Sequence, residues 1–226
     1  MLGNKSSDLV RAVGTRPAKE YLKRLLTISL TKLLRSKENL VLWSYGQLDL
    51  TPFLIYQGYA QGKYPLPSTR YRNCVNWYDP EIRGIISVDN YKIRTDLLRR
   101  VKKENHISES EKIYIKINCN FRETIVSCAR PRNSKNTTWI TSDYINAISE
   151  LHNAGIAHSV EAYQNGVLVG GVVGLSINGF FATLSLFHTV DNASKIAFWC
   201  LLQKLKDDGF KLHHCGDVDS CSRNMV

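Results

Sequence analysis

Hydrophobic positions in the second half of the chain follow a two-residue period, which is the period of half-buried strands. Isoleucine alternates with Tyr114 and Lys116, and three longer apolar runs follow, separated by Asn-Gly pairs. Asn-Gly favours two-residue hairpin turns because both residues tolerate positive φ. The pattern therefore predicts strands at 113–117, 158–163, 167–177 and 180–187, with turns at Asn165-Gly166 and Asn178-Gly179. A further strand is expected within 75–88.

Other segments have the 3.6-residue period of helices, with residues that start or stop them. Thr51 and Pro52 suit the start of one helix, and Asp143 and Asp191 are expected to cap two more. A tight loop containing Pro65 and Pro67 should follow the first of these helices. The helices are expected at 16–36, 51–61, 93–103, 121–129, 143–155 and 191–209, the last two ended by Gly155 and Gly209. Antiparallel hairpins combined with these helices predict an α+β layer fold.

Composition adds a strongly basic character to this fold. The chain has 226 residues and a net charge of +10, and residues 1–37 carry nine Lys and Arg against two acids. A second basic cluster lies at 92–103. Clustered cations attract polyanions such as RNA, although a single charge run is more often a solvated face. No apolar run approaches the length of a membrane span, and the first residues lack the apolar core of a secretory signal.

The six cysteines show no CxxC spacing, which favours reduced thiols in a cytoplasmic protein over a disulfide or zinc framework. Cys215 and Cys221 lie near His213 and His214 and form the one ligand-rich patch in the sequence. Their spacing matches no standard zinc site, so no metal is expected.

Short motifs in an ordered series cover roughly residues 45–212. They are Tyr59-Ala60-Gln61-Gly62-Lys63-Tyr64-Pro65, Trp77-Tyr78-Asp79-Pro80-Glu81-Ile82-Arg83-Gly84-Ile85-Ile86, Thr138-Trp139-Ile140-Thr141, Leu151-His152, Ala157-His158-Ser159-Val160-Glu161, Val167-Leu168-Val169-Gly170-Gly171 and Asp191-Asn192-Ala193-Ser194-Lys195. Their number, order and spacing resemble the leucyl/phenylalanyl-tRNA–protein transferase family. Each motif is short, and the combined series carries the resemblance.

The resemblance implies a small α/β N-terminal domain followed by a domain like the Gcn5-related acetyltransferases. We therefore expect a basic helical extension at 1–37, the small domain at 38–108 and the aminoacyltransferase domain at 109–226. The family moves Leu, Phe or Met from aminoacyl-tRNA to proteins that begin with Arg or Lys, and so marks them for degradation. Its reaction is aminolysis of an activated ester, which needs no cofactor. The implied partners are aminoacyl-tRNA and an acceptor protein, bound by a cytoplasmic monomer that does not insert into membranes.

The resemblance also implies site residues. An apolar pocket for the transferred side chain would be lined by Val172, Phe181, Leu186 and Leu201, which could equally be plain core. Trp139 would stack on the terminal adenine, because every base offers a π-face, and Tyr59 would face the site. A positively charged patch for the tRNA body would comprise Arg94, Arg99, Arg100, Lys102 and Lys103.

Four positions depart from the family pattern. One is Leu66, where the family often has a tryptophan or methionine after the Tyr/Phe-Pro pair. Leu184 stands where the family has a glutamate at the substrate site, and His214 and Gly216 stand where it has an aspartate and a glutamine. Three interpretations stay open. The chain could be a working transferase with an altered acceptor, with His213, His214 or Asp217 as the base. It could be an impaired homologue that still binds aminoacyl-tRNA, or a decayed or truncated product. A small-molecule amine is an alternative acceptor.

Overall fold

The computed structural model describes residues 50–67, 75–79, 82–89, 91, 95, 108–131 and 138–215. The predicted basic extension at 1–37 and its helix at 16–36 lie outside these residues. The predicted helix at 93–103 also lies outside them, apart from Thr95.

Four helices and eight strands are formed by the described residues. The helices are α1 (Pro52–Ala60), α2 (Phe121–Cys128), α3 (Ser142–Asn153) and α4 (Ala193–Asp207). The strands are β1 (Tyr64–Pro67), β2 (Val75–Tyr78), β3 (Ile85–Ser87), β4 (Tyr114–Ile117), β5 (Ala157–Gln164), β6 (Val167–Ile177), β7 (Phe180–His188) and β8 (Leu212–His214). A 3₁₀ turn at Glu109–Glu111 precedes β4.

Six of the strands form one mixed sheet, in the order β3-β8-β7-β6-β5-β4. All neighbours are antiparallel except β7 and β8, which run parallel and are joined through α4. A parallel pair needs such a crossover because a short turn cannot reverse the chain twice. Strands β1 and β2 form a separate two-stranded sheet. The predicted α+β class is confirmed, and the sheet is mixed.

The two Asn-Gly turns form as predicted. Asn165 and Gly166 have φ of 51° and 77°, and Asn178 and Gly179 have φ of 43° and 88°. Positive φ at both central residues matches the right-handed twist of the flanking strands. These turns join β5 to β6 and β6 to β7, so the predicted hairpins are confirmed.

Some local predictions need correction. Helix α3 begins one residue before Asp143, and its cap is Thr141, whose hydroxyl accepts from the Tyr144 amide at 3.2 Å. Asn192, in a left-handed conformation, precedes α4 in place of Asp191. The expected loop at Pro65 and Pro67 is strand β1, because a two-stranded sheet has free edges that tolerate residues without an N–H. The region 75–88 contains two strands, β2 and β3, instead of one.

Each face of the six-stranded sheet packs against different helices. On one face, α4 covers a core that includes Val160, Val172 and Phe181. On the other face, α1, α2 and α3 cover a core that includes Tyr144, Val173 and Phe187. Successive strand residues point to opposite faces, which sends Val172 to one core and Val173 to the other.

Three cysteines, Cys119, Cys128 and Cys200, carry free thiols. Cys215 is disulfide-bonded, so the prediction of reduced thiols is wrong at that position. Sequence spacing could not reveal this, because a disulfide depends on which cysteines approach within a few ångströms in the fold. In the described ranges, no helix is both long and apolar enough to span a bilayer.

Candidate active site

Strands β7 and β8 pair along only a short part of their length. Phe180, Phe181 and Ala182 are in register with Leu212, His213 and His214, whereas β7 continues to His188. In the part of the chain that the structure describes, no strand pairs with β7 on this side beyond Ala182. We call the site where the pairing ends the β7–β8 fork and define it by Thr183–Leu186 on β7 and His213–Cys215 on β8.

A β-bulge lies in β7 at the fork. On the opposite side of β7, Val173 of β6 pairs with Ser185 and Gly174 pairs with Thr183, which leaves Leu184 without a cross-strand partner. A bulge adds a residue to one strand and redirects its side chains, and bulges are common beside active sites. Leu184, the position where the family is expected to carry a glutamate, is therefore the bulged residue. Hydrophobic periodicity along the chain contains no signal for this bulge.

His213 lies on the α4 face of the fork and is fully buried. Its Nε2 is 2.8 Å from the Thr183 hydroxyl, and its Nδ1 is 3.6 Å from the Cys215 sulfur. The ring is stacked on Phe181 and is edge-on to Phe198. Burial, followed by the neighbouring His214, lowers the pKa of His213 to about 3. The imidazole is therefore neutral, and both of its nitrogens are engaged.

His214 follows on the same strand and points to the opposite face, alongside Ala182. It is 9% exposed, and its buried Nε2 has no hydrogen-bond partner in the described structure. Burial and, to a lesser extent, the positive charge of Arg83 lower its pKa below the ordinary histidine value. A neutral imidazole with an unengaged nitrogen can accept a proton. Both histidines are thus buried strand residues, and neither lies in an exposed tail.

The four residues predicted for the apolar pocket lie together on the α4 face. Val172, Phe181 and Leu201 are at most 1% exposed, and Leu186 packs against them. Val172 is opposite Leu186 in the β6–β7 pair. The Phe181 ring lies so close over Gly174 that a side chain at this glycine would collide with it. The structure therefore brings these four residues into one cluster, which is also core.

The remaining predicted binding residues lie on the other face. Trp139 is half-buried and packs edge-on against Tyr144, with ring centroids 4.9 Å apart. Tyr59, on α1, is buried in the same core as Tyr144. Burial raises the pKa of both phenols, so they are neutral near pH 7. The bulged Leu184 packs against the same core.

A continuous sheet separates its two faces, so residues from both can surround one substrate only where the strands part. The fork is such a place, because Leu186 contacts one core and Leu184 the other. Gly216, Asp217 and the predicted tRNA-binding cluster of Arg94, Arg99, Arg100, Lys102 and Lys103 lie outside the described residues.

Glu161 is a buried carboxylate whose role the sequence did not indicate. It accepts hydrogen bonds from the backbone amides of Cys119 and Asn120, each at 3.2 Å, and from the Ser159 hydroxyl at 2.5 Å. Burial raises the pKa of Glu161, and these hydrogen bonds oppose the shift. Because the two amides immediately precede α2, Glu161 caps that helix from a distant strand. Local sequence patterns miss a cap that lies about 40 residues away.

Comparison with known proteins identifies the family. The family model described as leucyl/phenylalanyl-tRNA protein transferase matches residues 85–224. The leucyl/phenylalanyl-tRNA–protein transferase of Herpetosiphon aurantiacus is 35% identical over 164 residues, which cover 72% of this chain and 78% of that relative. The enzyme of the same name from Pseudoalteromonas translucida is 38% identical over 158 residues, covering 70% and 63% of the two chains.

A third relative of the same name, from Chlorobaculum tepidum, is 35% identical over 70% of this chain and 77% of its own. Among solved structures, L-PGS from Bacillus licheniformis is similar at a TM-score of 0.38 and 15% identity, covering 59% of this chain and 44% of its own. The family match and the sequence identities are sufficient: the chain belongs to the leucyl/phenylalanyl-tRNA–protein transferase family.

Proposed function

We propose that this chain transfers an apolar aminoacyl group, Leu, Phe or Met, from aminoacyl-tRNA to the amino terminus of a protein. Family membership supports the reaction class. The observation that carries the proposal is the fork, where a neutral His214 with an unengaged Nε2 stands beside the bulged strand. The strand–helix–parallel strand unit β7–α4–β8, next to antiparallel hairpins, supports an arrangement like that of the Gcn5-related acetyltransferases.

In the proposed reaction, the α-amine of the acceptor attacks the carbonyl carbon of the aminoacyl ester. A C–N bond forms, the bond to the terminal ribose oxygen breaks, and that oxygen leaves with a proton. His214 Nε2 would accept the proton that the amine loses and return it to the leaving oxygen. The ester is already activated, so no cofactor or metal is needed. The protein's main contribution is to hold the two reactants in contact.

The two faces of the fork would each bind a different part of the aminoacyl-tRNA. The cluster of Val172, Phe181, Leu186 and Leu201 would receive the apolar side chain, Trp139 would hold the terminal adenosine by stacking, and Tyr59 would face the site. The basic cluster from Arg94 to Lys103 would contact tRNA phosphates without reading sequence. We propose that residues 38–108 and 109–226 are two domains, which would share the β3–β8 edge. We also expect a cytoplasmic monomer, because charged tRNA is a cytoplasmic substrate.

Acceptor choice should differ from that of the family. The fork residues Thr183–Leu186 and His213–Cys215 include no carboxylate, and Leu184 stands where the family's glutamate is expected. An aliphatic side chain cannot pair with the positive charge of an N-terminal Arg or Lys. We therefore expect a weaker preference for acceptors with basic N-termini. Where the acceptor is a protein, we expect the modified protein to be degraded.

The direct test is transfer of label from Leu-, Phe- and Met-tRNA to peptides that begin with Arg, Lys, Ala or Ser. Label on any peptide supports the proposal, and the distribution among peptides defines the acceptor. No transfer, with salt-dependent tRNA binding retained, would favour a binding protein without turnover, the alternative that the missing carboxylate suggests. Transfer only to a free amine such as a polyamine would favour a small-molecule acceptor.

The interaction with tRNA is tested separately with Arg99→Glu and Arg100→Glu. Removing one phosphate interaction should make the dependence of binding on salt concentration shallower by about one unit in a log–log plot. The matched control is Arg122→Glu on α2, an exposed arginine outside the cluster. If the variants and the control bind tRNA equally well, the basic cluster from Arg94 to Lys103 does not contact the tRNA.

A further inference from the structure

Arg83 contacts two residues that precede it in the sequence, Asp79 by four positions and Gly62 by 21. Its guanidinium donates to the carbonyl oxygen of Gly62, and its Nη2 is 2.6 Å from Asp79 Oδ1 at the end of β2. Lys63 Nζ lies 3.8 Å from the other oxygen of Asp79. The planar guanidinium of an arginine fixes two acceptors at once, which a lysine ammonium does not. The loop after α1 and the end of β2 are thereby held to the residue that precedes β3 by two positions.

The contact with Gly62 is close and depends on the absence of a side chain. Gly62 has φ of +79°, and a Cβ at this position would lie 2.5 Å from Arg83 Nη1. The amide of Gly62 donates to the carbonyl of Tyr59 at 2.9 Å, and the amide of Lys63 donates to that of Gly58 at 2.8 Å. Arg83 thus contacts the turn that ends α1, one helical turn from Tyr59.

The residues that follow Arg83 attach to the other side of the fork. The carbonyl of Gly84 accepts from the Cys215 amide at 2.9 Å, and Ile85 is in register with His214. Arg83 is therefore one connection between the helix that carries Tyr59 and the strand that carries His214, beside the core that α1 shares with Ala182.

The charge of Arg83 also acts on His214, whose pKa it lowers in addition to the larger effect of burial. The described titratable groups around His214 are few. His213 is its neighbour on β8, and Asp79 and Lys63 flank the Arg83 guanidinium. The adjacent strands present Ala182 and Ile85, which do not titrate.

We propose that Arg83 is a positioning residue for aminoacyl transfer: it fixes the end of α1, and with it Tyr59, relative to His214, and keeps a cation beside that imidazole. The inference rests on the proposed function, because it gives Tyr59 and His214 a shared substrate. It adds a residue that touches neither reacting atom and acts through two residues, Tyr59 and His214, which both lie on the face of the sheet opposite α4.

The test compares Arg83→Gln, Arg83→Lys and the control Arg122→Gln. Arg122 is exposed, and among the residues that the structure describes its guanidinium contacts only Asn146, at 3.4 and 3.5 Å. Two quantities are measured: the rate of label transfer against pH, and the protonation of His214 followed by NMR of its ring protons. The NMR titration does not require activity, so it can be read even if the chain transfers nothing.

Arg83→Gln removes both the planar guanidinium and its charge. We expect kcat/KM to fall by about tenfold or more, since small displacements at a reacting site are costly. The acidic limb of the pH–rate profile and the NMR titration of His214 should both move to higher pH, because a nearby cation no longer opposes protonation. Arg83→Lys keeps the charge, so it should lower kcat/KM and leave the titration of His214 in place.

Two results would overturn the inference. One is an Arg83→Gln variant whose transfer and His214 titration match those of Arg122→Gln. The other is a uniform loss of transfer at all pH values with an unmoved titration, which indicates a merely structural role. If Arg83→Gln does not fold, Asp79→Asn frees the guanidinium while retaining its charge and should behave like Arg83→Lys; wild-type kinetics in that variant would also overturn the inference. If the wild-type chain transfers nothing but the NMR titration of His214 moves to higher pH in Arg83→Gln, the proposed function is contradicted. The placement of the Arg83 cation beside His214 is then still supported.

Discussion

On the α4 face of the fork, His213 has a partner at each ring nitrogen and aromatic rings against its plane. On the opposite face, His214 is also buried, yet its Nε2 has no partner in the described structure. The two residues are adjacent on β8, and the alternation of a strand sends them to different environments. The first environment engages an imidazole completely, and the second leaves one nitrogen unengaged.

This difference assigns a structural role to His213 and a role in the reaction to His214. A buried polar group with all its partners stabilises the fold, whereas an unsatisfied one costs free energy and calls for an explanation. A nitrogen that accepts a proton during a reaction is such an explanation. We therefore expect substitutions at His213 to affect stability most, and substitutions at His214 to affect transfer most.

The largest expected effect is on transfer by His214→Gln. Removing a general base typically costs about 10²- to 10⁴-fold in rate, so kcat should fall by at least about a hundredfold. The free energy of unfolding should change little, because no hydrogen bond of the imidazole Nε2 is lost. Steady-state label transfer and urea unfolding measure the two quantities. The control is His188→Gln, an exposed histidine at the end of β7; equal activity of the two variants would rule out His214 as the base.

A smaller effect, on stability, is expected for His213→Ala. Loss of a buried ring leaves a cavity and an unpaired Thr183 hydroxyl, and together these should lower the free energy of unfolding by about 3 kcal/mol. Thr183→Val keeps the volume and removes only the hydroxyl, so it should cost about 1–2 kcal/mol. Urea titrations at pH 7 measure both. A stability close to wild type for His213→Ala would contradict the assignment of His213 to the core.

Lowering the pH should reduce the difference in unfolding free energy between the wild type and His213→Ala. His213 has a pKa of about 3, far below the ordinary value, so below about pH 6.5 the unfolded chain binds a proton that the folded chain does not. The stability due to the neutral ring is complete above that pH and is lost as the pH falls towards 3. At pH 5 the loss is about 2 kcal/mol per histidine. His158, also with a pKa of about 3, remains in the variant.

Unfolding of both proteins at pH 7 and pH 5 checks this expectation. The wild type should lose about 2 kcal/mol more than His213→Ala over this interval, because it has one more buried neutral histidine. If the difference in unfolding free energy between the two proteins is the same at both pH values, His213 binds a proton at pH 5 in the folded chain as it does in the unfolded chain. That result would contradict the assignment of His213 as a neutral core residue.

The smallest expected effect concerns the acceptor. Leu184→Glu places a carboxylate at the bulge, and Leu184→Gln is the matched uncharged control. The carboxylate should raise the preference for peptides that begin with Arg over those that begin with Ala by a few-fold, as expected for one partly exposed ion pair. Competition between the two peptides measures this preference. The same ratio in both variants would show that position 184 does not face the acceptor.

The sequence by itself determined the features that are encoded locally. The turns at Asn165-Gly166 and Asn178-Gly179, the alternating strands and the Thr51 cap are set by residues within a few positions of each other. The site residues Trp139, Val172 and Phe181 came from resemblance to the family, because no local pattern distinguishes a pocket residue from core. Their roles in binding stay predictions.

Only the tertiary structure decided which distant residues meet. Strands β3 and β8 have three residues each, too few for a recognisable period. They form because β3 pairs with β8 and β8 pairs with β7. The bulge at Leu184 depends on the register of β6 against β7, and Glu161 caps a helix from another strand. The opposed environments of His213 and His214 arise in the same way. Local periodicity fixes each element, but only packing fixes what lies opposite a side chain.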